Sequence, residues 1–179
     1  TATMGDMDAA AKLREGMTDD GIVADLNAVV AHLKSNSNAD GDHIGIVGYC
    51  MGGRVSFLAA VKVQGISAAV VYYGGNILPR PGAPDTGPSL LDQAASISCP
   101  ILGFFGDQDQ AIPPENVRKI EETLKGLGKD VQIHTYADAV HGFFCDARAS
   151  YNEAAAKDAW PKTLSFFEKH LTGSAVGAR

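Results

Sequence analysis

The sequence contains few cysteines, and it lacks both long apolar runs and long runs of charge of one sign. Its three cysteines, Cys50, Cys99 and Cys145, stand at unrelated spacings, which argues against a disulfide framework and against a four-ligand zinc site. No apolar run approaches the roughly 20 residues that a membrane span needs, and no basic-then-apolar opening indicates a secretory signal. We therefore expect a cytoplasmic protein that does not act in a membrane.

The charge of the chain is moderately negative. Twenty-one acidic residues against 15 basic ones give a formal net charge of -6. Nucleic acids and anionic membranes are bound by a concentrated basic face, so neither is expected as a partner. Hydrophobic residues make up 45% and charged residues 20% of the 179 positions, which is typical of a soluble globular protein with a sizeable core. We expect residues 1–179 to form a single domain.

Short apolar runs alternate with stretches of helical periodicity along most of the chain. Strands are expected at residues 43–49, 68–73, 101–105 and 131–136, and helices at about 9–14, 18–33, 52–63, 113–124 and 152–170. The last of these helices carries Ala156, Trp160, Leu164, Phe167 and Leu171 along one stripe. Strands and helices in this alternating order predict an α/β fold with a mainly parallel sheet covered by helices.

One stretch, residues 74–88 (GGNILPRPGAPDTGP), interrupts the alternation. Its many glycines and prolines predict a long loop rather than a linker between domains. Loops of this length inside a domain often serve as lids or binding loops, so we expect residues 74–88 to form a rim over a site. A short helix is expected to follow at residues 90–95.

The motif GYCMGG, residues 48–53, lies between a predicted strand and a predicted helix and has the G-x-nucleophile-x-G form of a nucleophile elbow. The turn is expected to be so sharp that only glycine fits at Gly48 and Gly52. The unpaired N–H groups at the start of the helix favour a thiolate at Cys50, and the Met51 N–H is expected to donate to an oxyanion. A buried structural cysteine in a tight turn is the alternative interpretation.

Candidates for an acid and a base follow Cys50 in the order that a triad requires. Asp107 and Asp109 come directly after the predicted strand 101–105, where a carboxylate faces the ligand side of a parallel sheet. Their position at the strand end does not show which of the two aspartates would be the acid of the triad. Either aspartate could instead stabilise a turn. His141 lies on a predicted loop beside Gly142, which allows the loop to fold back over the elbow. The other four histidines, His32, His43, His134 and His170, lie on predicted strands or helices.

From about residue 40 to the C-terminus the chain resembles the dienelactone hydrolase family. The resemblance is carried by GYCMGGRVSFLAA, VYYGG, GDQDQAIP, VHGFF and AWPKTLSFFEKHL. It implies a three-layer α/β-hydrolase fold and cleavage of small carboxylic esters or lactones through a thioester. It also implies Cys50 as nucleophile, His141 as base and Asp109, rather than Asp107, as acid. Neither a metal nor an organic cofactor is implied.

The chain departs from the family pattern at two places. Family members have further strands before the point where this chain begins, so we expect an N-terminally short fold with the nucleophile strand at a sheet edge. An apolar edge invites pairing with another chain, and we expect either a homodimer through this edge or a larger fold completed by another chain. The alternative is that the chain is a fragment. Dienelactone-cleaving members place a carboxylate-binding arginine shortly after the histidine. Here Cys145 stands at that place and Arg148 is the next arginine, which weakens dienelactone itself as the substrate.

Aromatic residues are the main candidates for binding a small substrate. Tyr49, Tyr73 and Phe143 are expected to line an aromatic pocket. Tyr72 and Phe144 could also do so, although packing in the core explains them equally well. Arg54, beside the elbow, is expected either to hold a substrate carboxylate or to pair with a nearby acid.

Two other function classes stay open on the sequence. An amidotransferase-like enzyme would also use a cysteine elbow, but such enzymes pair the cysteine with a downstream His-x-Glu. This chain has His141-Gly142-Phe143 and a separate aspartate instead. A non-catalytic binding protein on a hydrolase fold is the second alternative.

Overall fold

The computed structural model describes residues 7–79 and 87–172. Five helices and four strands are expected from the sequence, and all nine are present with shifts of only a few residues at their ends. The helices are α1 (Met7–Glu15), α2 (Asp19–Ser35), α3 (Met51–Lys62), α4 (Pro114–Gly126) and α5 (Glu153–Leu171). The strands are β1 (Ile44–Tyr49), β2 (Ile66–Tyr72), β3 (Ile101–Gly106) and β4 (Val131–Tyr136). A 3₁₀ helix, Leu91–Ser96, takes the place of the short helix expected at 90–95.

The four strands form one parallel sheet in the order β1-β2-β3-β4. Residues Ala68 to Tyr72 of β2 are buried on both faces of the sheet, as a central parallel strand between helical layers should be. On β1, a Cβ added at Gly45 would meet Phe167 and Leu171 of α5, whereas one at Gly48 would meet the start of α3. Because positions 45 and 48 point to opposite faces, α5 and α3 cover opposite sides. The predicted three-layer arrangement is confirmed.

Two polar contacts join helix α5 to strand β2 and helix α2 to helix α3. The Tyr72 hydroxyl of β2 lies 2.7 Å from the Thr163 hydroxyl of α5 in the buried core. On the other side, the Arg54 guanidinium of α3 makes two hydrogen bonds to the Asp19 carboxylate at the start of α2, at 2.7 and 2.9 Å. These contacts join residues 91 and 35 positions apart, so they tie together segments that are remote in the sequence.

Strand β1 lies at one edge of the sheet and pairs only with β2 among the residues that the structure describes. The expectation that the nucleophile strand stands at an edge is therefore confirmed. Val47 and Tyr49 of this strand are exposed large apolar residues. Dimerisation through the edge stays a prediction, and a monomeric mass by sedimentation velocity would contradict it.

The loop expected at 74–88 is described only at its two ends, 74–79 and 87–88, where it has no regular structure. The expectation that it forms a rim falls partly on residues 80–86, which lie outside the described residues. Within the described part of the chain, no helix is long and apolar enough to cross a bilayer.

Candidate active site

Cys50 alone links strand β1 to helix α3 and takes an unusual backbone conformation. Its φ of 56° and ψ of -118° lie where residues other than glycine are rarely found. The Cys50 N–H donates to the Tyr72 carbonyl at 3.0 Å, and the Cys50 carbonyl accepts from the Arg54 N–H at 3.2 Å. Strand pairing and the first helical turn thus hold the strained residue from both sides, and its thiol is exposed at the end of the sheet.

Two glycines make this sharp turn sterically feasible. A Cβ at Gly48 would lie 1.9 Å from the Gly52 carbonyl oxygen, and one at Gly53 would lie 2.5 Å from the Tyr72 carbonyl oxygen. A Cβ at Gly52 would meet nothing within 4 Å among the described residues. The expectation that only glycine fits at position 52 is therefore wrong. The close approach falls one residue later, because Gly53 faces strand β2 and Gly52 does not.

His141 joins the thiol of Cys50 to the carboxylate of Asp109. Its Nε2 lies 3.1 Å from Cys50 Sγ, and its Nδ1 lies 2.7 Å from Asp109 Oδ2. Asp109 follows β3 and is only 2% exposed. Its Oδ1 accepts from the N–H groups of Ala111 and Ile112, at 2.9 and 3.2 Å. The carboxylate is therefore fixed by two backbone donors on one oxygen and faces the imidazole with the other.

Asp107, which the strand end alone could not distinguish from Asp109, has a different place. Its Oδ1 accepts from the Asp138 N–H at 2.9 Å. Asp138 has a φ of 57°, so this hydrogen bond stabilises a turn in the loop that leads to His141. Of these two aspartates, Asp109 contacts the His141 imidazole and Asp107 contacts the Asp138 N–H.

The ionisation of Cys50 and that of His141 are coupled. The hydrogen bond to Asp109 raises the pKa of His141 to about 9, against the opposing effect of burial. Burial alone would raise the pKa of the Cys50 thiol, but the hydrogen bond and charge of His141 and the Met51 N–H outweigh it, so this pKa is lowered. Both shifts favour a thiolate beside an imidazolium. A thiolate held beside a proton donor is suited to nucleophilic attack on a carbonyl carbon.

Alkylation measures this activation directly. At pH 7 we expect iodoacetamide to modify Cys50 at least about tenfold faster in the parent protein than in His141→Ala. Without His141 the thiol keeps the burial that raises its pKa and loses the partner that lowers it, so less thiolate is present. Cys99 should not react, because burial raises its pKa to about 11. Mass spectrometry of timed samples gives the rate at each cysteine.

A matched control for this measurement is His43→Ala. His43 pairs with Asp40 at 2.8 Å on an exposed turn, so its loss should leave the alkylation rate of Cys50 unchanged. Equal rates for the parent and His141→Ala would show that the imidazole does not activate the thiol.

Two cavities of different character meet at Cys50 and His141. The first, of about 430 Å³, has Arg14, Asp19, Arg54, Asn76 and Met51 in its wall, and we call it the polar cavity. The second, of about 570 Å³, has Tyr49, Tyr73, Phe144 and Arg148 in its wall, and we call it the aromatic cavity. Both volumes suit a small-molecule ligand.

The residues predicted to bind substrate divide between these cavities, with one exception. Tyr49 and Tyr73 line the aromatic cavity, and Arg54 lines the polar one. Of the two roles expected for Arg54, the structure shows the ion pair with a nearby acid, which is Asp19. Phe143 is 0% exposed and belongs to the core, so its assignment to the pocket wall is wrong. The next residue, Phe144, turns outward and takes that place.

Sequence reasoning missed several residues of the polar cavity. Arg14 of α1 and Asp19 of α2 come from segments with no recognisable motif, whereas Asn76 lies in the stretch that is expected to form a rim over a site. The sequence marks Arg148 only as the first arginine after His141. No local signal in the sequence places these side chains beside Cys50.

Comparison with known proteins gives the evolutionary context of this site. The model of the dienelactone hydrolase family matches residues 2–171. The chain belongs to this family.

Named relatives share about a third of their residues with the chain. A protein of Synechocystis named "Putative carboxymethylenebutenolidase" is 34% identical over 92% of this chain. A protein of the same name from Escherichia coli K12 is 35% identical over 85% of it. A "Probable 2-oxo-3-(5-oxofuran-2-ylidene)propanoate lactonase" of Bradyrhizobium is 31% identical over 89%. The chain spans only 66%, 55% and 63% of the lengths of these three relatives, respectively.

Solved structures show the same fold. The structure of a "Putative Dienelactone Hydrolase" of Klebsiella pneumoniae superposes with a TM-score of 0.77 at 30% identity, covering 87% of this chain and 63% of that one. An α/β hydrolase from a deep-sea metagenome superposes with a TM-score of 0.66 at 18% identity, covering 83% and 64%. The second likeness supports the α/β-hydrolase fold alone.

Proposed function

We propose that this chain hydrolyses small carboxylic esters or lactones with Cys50 as nucleophile, His141 as acid and base, and Asp109 as the residue that orients the imidazole. The observation that carries the proposal is the unbroken hydrogen-bonded path from the thiol through both ring nitrogens to a buried carboxylate. An exposed thiol with a lowered pKa lies at one end of that path, beside two cavities large enough for a substrate.

The first half-reaction forms a thioester. The Cys50 thiolate attacks the carbonyl carbon of the ester, and the carbonyl electrons move onto oxygen. The Met51 N–H, at the start of α3, donates to this oxyanion. When the intermediate collapses, the bond to the alkoxide breaks and His141 Nε2 gives it a proton, so an alcohol leaves and the acyl group stays on Sγ.

The second half-reaction returns the enzyme to its starting state. The now neutral His141 takes a proton from water, and the hydroxide attacks the thioester carbon. Collapse of this second intermediate releases the carboxylic acid and restores the Cys50 thiolate beside the imidazolium. Asp109 holds the Nδ1–H throughout, which keeps Nε2 facing the reacting atoms. In a lactone, the alcohol and the acid are parts of one product.

The names of the relatives support lactones within this substrate class. The Bradyrhizobium relative carries "lactonase" in its name, and the family itself is named for hydrolysis of a dienelactone. We do not extend the proposal to dienelactone itself, because Cys145 stands where the carboxylate-binding arginine is expected.

Hydrolysis of p-nitrophenyl acetate tests the proposal. We expect the parent to release p-nitrophenolate and Cys50→Ala to lose at least about 10³-fold in rate, since the variant lacks the thiol that carries the acyl group in the proposed reaction. Rapid acid quenching and mass spectrometry should detect the acetyl group on the peptide that contains Cys50. Circular dichroism should show the same fold in both proteins.

Cys99→Ala is the matched cysteine control. Its thiol is buried in the core between Ile97 and Ile101, so the variant should keep the activity of the parent. Equal rates for the parent and Cys50→Ala would exclude Cys50 as the nucleophile. A parent without activity would overturn the proposal for this chain and favour the binding-protein alternative.

A further inference from the structure

The aromatic cavity continues into a third cavity that the site described so far does not include. This outer cavity, of about 420 Å³, has Phe144, Tyr151, Trp160 and Pro161 in its wall. It shares Phe144 and Asp146 with the aromatic cavity. The two therefore form one groove, which starts at Cys50 and ends over the middle of helix α5.

Aromatic rings line this groove in sequence. The Tyr49 ring lies 5.3 Å from the Phe144 ring, and the Phe144 ring lies 6.2 Å from the Trp160 ring, measured between centroids. Both pairs are tilted, within the range in which aromatic rings attract each other. Since Tyr49 directly precedes Cys50, the row extends from the nucleophile to the indole.

Trp160 is unusually exposed for the largest apolar side chain of the protein. Apolar stripes on helices are typically buried, yet Trp160 is 44% exposed, and Tyr151 in the same cavity wall is 37% exposed. Small buried residues of α5, such as Ala155 and Ala159, face the sheet instead. Contiguous exposed apolar surface beside a cleft is characteristic of a binding surface.

The geometry of attack decides which part of an ester would enter this groove. Met51 lies in the wall of the polar cavity and Tyr49 in that of the aromatic cavity. In the proposed reaction, an oxyanion held by the Met51 N–H occupies the polar side of Sγ. The leaving oxygen faces His141, from which it takes its proton. The fourth substituent of the tetrahedral carbon is the chain of the acyl group, and this chain is directed into the aromatic cavity.

We propose that the groove binds an acyl group that ends in an aromatic ring, with Phe144 and Trp160 as its specificity-determining residues. The preferred substrates are then aryl-alkanoyl esters rather than acetyl esters. This proposal rests on the hydrolysis proposed above, and it adds the class of acyl group. The wall of the outer cavity also contains Asp146 and Lys157, and the Lys157 ammonium pairs with Glu153 at 2.5 Å. The aromatic faces of Phe144, Tyr151 and Trp160 favour a ring at this end of the groove.

Binding can be measured without turnover because Trp160 is the only tryptophan of the chain. In the Cys50→Ala variant, titration with benzylacetone should change the intrinsic fluorescence in a saturable way. Benzylacetone carries the hydrocinnamoyl group on a methyl carbon, so it presents the acyl part without an ester bond. Acetone, which lacks the ring, should leave the fluorescence unchanged over the same range.

Selectivity can be measured as a ratio of two rates. For p-nitrophenyl hydrocinnamate over p-nitrophenyl acetate, we expect the ratio of kcat/KM values to fall by about tenfold in Trp160→Ala, the size of effect that one lost aromatic contact produces. Leu164→Ala is the matched control, because Leu164 is equally exposed on the same helix and lies outside the walls of both cavities. It should keep the ratio of the parent.

The two measurements separate failure of this proposal from failure of the proposed function. If neither ester is hydrolysed, the hydrolase proposal fails, while the fluorescence titration still tests the groove. Unchanged fluorescence with benzylacetone, or equal ratios for Trp160→Ala and the parent, would overturn the assignment of the groove. If the parent is a dimer and Trp160→Ala is a monomer, the outer cavity is a contact between two copies of the chain. That result would also overturn the assignment of the groove to an acyl group.

Discussion

Replacing Asp109 with asparagine should lower kcat/KM for p-nitrophenyl acetate by about 10⁴-fold while leaving the fold intact. The Oδ1 position accepts from the N–H groups of Ala111 and Ile112, and an amide oxygen can keep both hydrogen bonds. The amide NH₂ would then face His141 Nδ1 in place of Oδ2. An NH₂ group cannot accept a proton there, so the imidazole takes the tautomer with its proton on Nε2 and the imidazolium loses its carboxylate partner.

The pKa of His141 provides a second readout of the same change. Because the hydrogen bond to Asp109 is the largest cause that raises this pKa to about 9, Asp109→Asn should lower it toward the ordinary histidine range. The charged imidazolium should then be lost at lower pH than in the parent, which an NMR titration of the ring protons would follow.

Asp107→Asn is the control for this substitution. It lies two residues away, and its oxygen accepts only from the Asp138 N–H, which an asparagine oxygen can also do. We expect it to keep the activity of the parent. If Asp109→Asn were as active as Asp107→Asn, the carboxylate of Asp109 would have no part in the reaction.

Alanine at Gly48 should destabilise the protein strongly. The new Cβ would lie 1.9 Å from the Gly52 carbonyl oxygen and 2.8 Å from Ser56 Oγ. The clash with Gly52 is with backbone, which cannot move without displacing Cys50. We expect the free energy of unfolding to fall by at least about 3 kcal/mol. For a domain of this size that corresponds to a loss of about 6–12 °C in Tm.

Gly52→Ala is the comparison that makes this prediction specific. Alanine at position 52 meets nothing within 4 Å in the described structure, and in the first turn of α3 it should raise stability by up to about 1 kcal/mol through its helix propensity. Urea unfolding followed by circular dichroism measures both variants. Similar midpoints for Gly48→Ala and Gly52→Ala would contradict the steric account of the elbow.

The fold was predictable because its signals are local. The apolar run of β2, Ala68 to Tyr72, is buried as a central parallel strand should be. The proline pair at the start of α4 and the glycine-bounded strand β1 likewise mark their elements within a residue or two. Such patterns need only neighbouring residues to be recognised.

The details of the site depend on contacts that the sequence does not express. Asp107 and Asp109 follow the same strand, and only the position of His141 in space distinguishes them. Phe143 and Phe144 are adjacent and chemically identical, but the turn after His141 buries the first and exposes the second to the aromatic cavity. At these positions the outcome is decided by which way a loop residue points, which periodicity does not predict.

Gly45 lies at the opposite end of β1 from Cys50, and it affects the groove through the position of helix α5. A Cβ there would approach Phe167 and Leu171 to 2.7 and 2.8 Å, so α5 lies as close to the sheet as it does because this position carries a hydrogen. Trp160 precedes Phe167 by seven residues on the same helix, which is about two turns or 10 Å along the helix axis. The width of the proposed acyl groove thus depends partly on Gly45, a residue outside the walls of both of its cavities.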